Sequence, residues 1–117
     1  MTLPGLPLGL PLLGSGSSYV SVSQNGGWLA GPGTTERFTV TLEGGVAYKI
    51  PLSVPWNADF DIEVVDENGH RVASGSSRGR GSSETVYVTP IWTGAFYMRV
   101  RSSSGSGPFT VELWKRL

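Results

Sequence analysis

The chain has 117 residues, nine basic and nine acidic side chains, 17 glycines, eight prolines and no cysteine. The length suits one domain; the balanced charge excludes a general attraction to nucleic acid or to an anionic membrane, and the missing cysteine excludes disulfides and thiolate metal sites. Gly/Pro turn signals among abundant β-branched and aromatic residues describe short strands, and no segment keeps the 3.6-residue apolar period of an amphipathic helix.

No charge precedes Glu36. Residues 1–18 read as an arm: Leu3, Leu6, Leu8, Leu10, Leu12 and Leu13 are spaced by glycines and by Pro4, Pro7 and Pro11, a pattern that predicts an extended, polyproline-like backbone. Residues 1–13 lack a basic flank, their prolines break a helix, and the stretch is too short to cross a bilayer. It therefore reads neither as a signal peptide nor as a membrane anchor. Each leucine gains about 1.5–3 kcal/mol when fully buried. Residues 14–18, Gly-Ser-Gly-Ser-Ser, have the character of a hinge. The arm packs either on its own domain or on another copy of the chain, and the second is the expectation for residues 6–13.

Residues 19–117 read as one β-domain. Residues 19–23 alternate as a first strand, and residues 24–35 read as a Gly-rich connection. Phe38, Val40 and Leu42 then face one way, and Arg37, Thr39, Thr41 and Glu43 the other. After Gly44-Gly45, the inward row is Val46, Tyr48, Ile50 and Leu52, with Pro51 marking an edge strand or a bulge. Phe60, Ile62 and Val64 follow, opposite Asp59, Asp61 and Glu63; Asn68-Gly69 is a hairpin turn into residues 70–74. Residues 74–83 form a Gly/Ser/Arg loop, and residues 85–89 a strand. Phe96, Met98 and Val100 alternate with Tyr97, Arg99 and Arg101, residues 102–107 turn, and Phe109, Val111 and Leu113 close the core. About eight strands with one apolar face each predict an all-β, antiparallel sandwich.

Residues 38–42, Gly45, residues 48–52, Asp59-Phe60-Asp61-Ile62, Asp66, Asn68-Gly69, Gly94, Tyr97, Val100, Gly105, Gly107-Pro108-Phe109 and Leu113 carry a resemblance. Over about residues 28–113 the chain resembles the bacterial pre-peptidase C-terminal domain. The resemblance implies a jelly-roll sandwich, no catalysis, and binding of collagen or polysaccharide, in some members with calcium. It does not cover the arm.

Asp59, Asp61, Glu63, Asp66 and Glu67 crowd five of the nine acidic residues into nine positions. On one strand face Asp59, Asp61 and Glu63 stand about 7 Å apart at alternate positions. Oxygen donors of this kind suit a hard cation, with Asn57 or a loop carbonyl completing the set. The alternative is a solvated face offset by Arg99 and Arg101. Calcium rests mostly on the resemblance, because the spacing is not that of a calcium loop; no cofactor is required. Gly75-Ser76-Ser77-Arg78-Gly79 matches the nucleophile-elbow pattern. The lone His70 lies upstream and no helix follows, so the match carries no enzyme. Among four tryptophans, Trp114 shares the solvent face of Thr110 and Glu112 and is a candidate ligand-facing ring, while Trp28, Trp56 and Trp92 are expected to cap the ends of the sandwich. Two readings follow. The first is a structural subunit of an extracellular filament, surface layer or virion coat, joined to other copies through the arm. The second is a stand-alone secreted module for polysaccharide or matrix protein.

Overall fold

The computed structural model describes residues 18–75 and 83–117. The strands are β1 Tyr19–Leu29, β2 Thr35–Leu42, β3 Tyr48–Ser53, β4 Asp59–Asp66, β5 Arg71–Gly75, β6 Glu84–Val88, β7 Gly94–Ser104 and β8 Gly107–Arg116, with no helix among the described residues. They form two antiparallel sheets, ordered β1-β8-β3-β6 and β2-β7-β4-β5. The alternating apolar rows predict the antiparallel sandwich, and the strand order is the jelly roll that the resemblance implies. The arm and the connection holding Ser76, Ser77, Arg78 and Gly79 lie outside the described residues.

The core lies between the sheets. Phe60, Ile62 and Val64 from β4 and Phe96, Met98 and Val100 from β7 meet Tyr48, Ile50 and Leu52 from β3 and Phe109, Val111 and Leu113 from β8. Phe109 stands edge-on to both Phe60 and Phe38, with centroids 6.2 and 6.1 Å apart. Phe38 is only partly buried, because β2 is an outer strand and leaves one side of the ring uncovered.

Three local expectations are corrected. Residues 24–29 are not a connection. β1 continues through Gly26 and Gly27, which pair with Thr110 and Phe109, after a register shift between Ser21 and Ser23. Pro51 does not mark an edge, since β3 lies between β8 and β6. The β3–β8 pairing instead runs through Tyr48↔Lys115 and Lys49↔Trp114 and resumes at Leu52↔Val111, skipping the residues around the missing proline N–H. Finally, β7 extends to Ser104 and β8 begins at Gly107, so the turn predicted over 102–107 is tighter.

Both termini of the described chain sit at one end. Leu117 N donates to Ser18 O at 2.9 Å, and Arg116 N to Ala47 O at 2.9 Å. The β2–β3 and β6–β7 connections lie at the same end, joined by a bond from Gly45 N to Pro90 O at 2.7 Å.

Candidate functional site

The acidic strand divides by position. At its far half, Glu63 is hydrogen-bonded by Arg99 of β7, and Arg71 of β5 stands 4.0 Å away. Asp66 is a turn former, its Oδ1 accepting from Asn68 N at 2.9 Å and His70 N at 2.8 Å. His70 itself is exposed.

Asp59 and Asp61 occupy the beginning of β4, where β5 has ended: the β5 partner of Ile62 is Gly75. Glu84, the first residue of β6, comes from the other sheet. The group that could hold a metal ion is therefore Asp59, Asp61 and Glu84, whose ligand oxygens all lie within 4.8 Å of one another. Glu63 is not in it. Glu84 is buried to 7 % exposure, and Asp59 Oδ1 is buried with no hydrogen-bond partner among the described residues. Asp61 Oδ2 accepts from Ser103 Oγ at 2.7 Å, and Arg101 pairs with Asp61 across the strands. Two carboxylates at such a separation repel by roughly 3 kcal/mol at an effective dielectric near 20. Oxygen-only donors, collective negative charge and an orphaned buried oxygen fit a hard divalent cation. Three carboxylates supply only part of the six to eight oxygens calcium takes, leaving the rest to backbone carbonyls or water. Sequence reading missed Glu84, although its alternation with Val86 and Val88 places it on the inward face, where carboxylates are rare.

A second feature crosses the outer face of the β1-β8-β3-β6 sheet. Lys49 pairs with Trp114 on one side and with Tyr87 on the other. Its Nζ lies 4.6 Å from the Tyr19 ring centroid and 5.5 Å from that of Trp114. Trp114 Nε1 donates to Glu112 Oε1 at 2.7 Å. Trp114 is thus half-buried and held from both sides, in a row with Tyr19, Lys49 and Tyr87. The other tryptophans depart from expectation. Trp92 caps one end by stacking on Phe96, but Trp28 and Trp56 stand 63 % and 84 % exposed beyond the opposite end. Each follows or enters a turn there, Trp28 beside Pro108 and Trp56 after Pro55, so neither ring reaches the core.

No protein-family model matches the sequence, and no curated protein matches it. Solved structures do match in fold. The chain is similar to the pre-peptidase C-terminal domain of a Bacillus anthracis collagenase, with a TM-score of 0.60 and 17 % identity over 78 % of this chain and 87 % of that one. It is also similar to PliG, a periplasmic inhibitor of g-type lysozyme from Aeromonas hydrophila, with a TM-score of 0.57 and 12 % identity over 92 % and 93 % of the two chains. A third similarity is to the Clostridium perfringens CspB protease, with a TM-score of 0.59 and 15 % identity over 77 % of this chain and 25 % of that one. The fold is that of the pre-peptidase C-terminal sandwich, as the sequence resemblance implies.

Proposed function

We propose that the chain is a non-catalytic module that works outside the cell and assembles with other copies of itself through the arm, as a subunit of a filament, surface layer or coat. One observation carries this reading. Strands from Tyr19 to Arg116 complete the jelly roll and fill its interior with their own side chains. The six leucines of residues 3–13 precede these strands in the sequence and are too apolar for a plain linker, which supports a role in contact with another copy. The similar folds support a secreted, non-enzymatic module: one is a domain of a collagenase and another a periplasmic inhibitor. The test is the solution mass of the full chain against a Leu10→Asp/Leu12→Asp variant over a wide concentration range. Assembly by the wild type and a monomeric variant are expected; two equal masses would remove the arm from the account.

The second reading is a binding module for polysaccharide or matrix protein. It is favoured by the exposed Trp28 and Trp56 rings and by the row through Trp114. Calcium, held by Asp59, Asp61 and Glu84, would lock β4 to β6. Calcium is then expected to raise the melting temperature and a chelator to lower it, since a ligand bound only by the native state stabilises it. Asp61→Asn abolishes that response. A melting curve indifferent to chelator would leave the group to arginine neighbours such as Arg101.

A further inference from the structure

At the end where the described chain begins, the β6–β7 connection holds an apolar surface in water. Ile91 is 89 % exposed, and Val72, Tyr87 and Trp92 stand around it, beside a groove of about 320 Å³. The surface cannot fold away, because its backbone is clamped. Pro90 O accepts from Gly45 N at 2.7 Å, and Gly44 N donates to Thr93 Oγ1 at 2.9 Å. A Cβ at Gly44 would stand 2.9 Å from Trp92 Cα, so turn and loop touch backbone to backbone. Beneath, the Trp92 ring stacks on core Phe96 at 5.4 Å. A large β-branched side chain fixed in water among aromatic neighbours is a surface built for contact.

The chain also contains a fitting occupant. Seventeen residues precede Ser18, without a charge and with six leucines. Their point of departure is fixed at the groove's own end by the Leu117–Ser18 bond. We propose that the Ile91–Trp92 groove of one copy receives the leucines of the arm of a second copy. The inference rests on the assembly reading and adds the receiving site and its geometry. The arm's prolines remove backbone donors, which suits side-chain packing in a groove better than addition of a strand. Within one chain, β1 and β6 are the outer strands of the same sheet, about 14 Å apart. Leu12 and the leucines before it stand six or more residues from Ser18 and can reach about 20 Å or further, so the chain's own groove is also within range and solution mass decides between the two. Because the arm's origin and the groove share one end, a reciprocal exchange about a two-fold axis satisfies both copies at once and is the geometry proposed. A larger assembly then requires a second contact, for which Trp28 and Trp56 are exposed at the opposite end.

The experiment uses the full chain in sedimentation equilibrium, with Ile91→Lys and Tyr87→Lys in the groove, Leu10→Asp/Leu12→Asp in the arm, and a mixture of Ile91→Lys with the arm variant. Thermal unfolding checks that each groove variant is folded, as expected for exposed positions. The wild type is expected at twice the 12.4 kDa chain mass. Each groove variant should weaken the dimer on the order of a hundredfold. The mixture, which supplies one intact arm and one intact groove, should recover a dimer that neither variant forms alone. Folded groove variants that dimerise like the wild type, beside a monomeric arm variant, would overturn the groove while leaving arm-mediated assembly standing. A wild type that is monomeric throughout would overturn both.

Discussion

Gly27 shows how a single side chain, or its lack, decides a strand. A Cβ at this position would overlap the Glu36 carboxylate and the Phe109 ring. Glu36 occupies the inward face of outer strand β2, with Oε1 buried and without a hydrogen-bond partner among the described residues. An inward-pointing charge on an edge strand costs stability but discourages edge-to-edge pairing. Gly27→Ala should destabilise by about 1–3 kcal/mol in urea unfolding, with strain from both neighbours. Adding Glu36→Ala should restore part of the loss, and strict additivity of the two changes would refute the contact. At the opposite end, the hydrogen bond and charge of Glu43 hold the Lys115 pKa above its ordinary 10.5, across a bond of 2.9 Å. The native state therefore binds this proton more tightly than the unfolded chain. The contribution is complete below pH 10.5 and fades as pH rises through the higher native value. Glu43→Gln should flatten that alkaline loss in denaturation curves measured on both sides of the window.

Among the elements, β4 supplies the central core position and the acidic group from opposite faces. Phe60→Ala removes a fully buried ring that packs on Phe109, and should cost about 3–5 kcal/mol by chemical denaturation. A cost below 1 kcal/mol would contradict the register of the whole strand. That register was legible in the sequence, because a two-residue period survives in β2, β3, β4, β7 and β8 with little interruption. β1 was legible only to Ser23: Gly26 and Gly27 carry no side chains to alternate, and what makes them strand is pairing with Thr110 and Phe109 of β8, with the Phe109 ring against Gly27. Pro51 misled for a related reason, since one missing donor can be absorbed by a local gap in a central ladder. The acidic group was half legible. Asp59 and Asp61 share a strand face, but Glu84 reaches them from the other sheet, across 23 positions of sequence, and Glu63 is drawn off by Arg99 and Arg71. Spacing along one strand carries no information about a partner brought in by sheet packing.

At the scale of the whole molecule, the described strands β1 to β8 form both sheets of the sandwich. The two sheets enclose a core drawn from residues 29 to 113, and both termini of the described chain emerge at one end. Apolar surface is distributed unevenly over this body. The Ile91–Trp92 groove lies at the arm's end, and Trp28 and Trp56 lie at the other, beside the Asp59–Asp61–Glu84 group. This two-ended distribution is the feature on which the proposed assembly rests. The most direct measurement compares the full chain with a chain lacking residues 1–13, reading solution mass and melting temperature on the same samples. The account predicts that the shortened chain is a monomer that melts within about 2 °C of the full chain, while the full chain associates. A shortened chain that melts far lower would place the arm in its own domain's core, and one that still associates would leave the arm without a role; either result contradicts assembly through the arm.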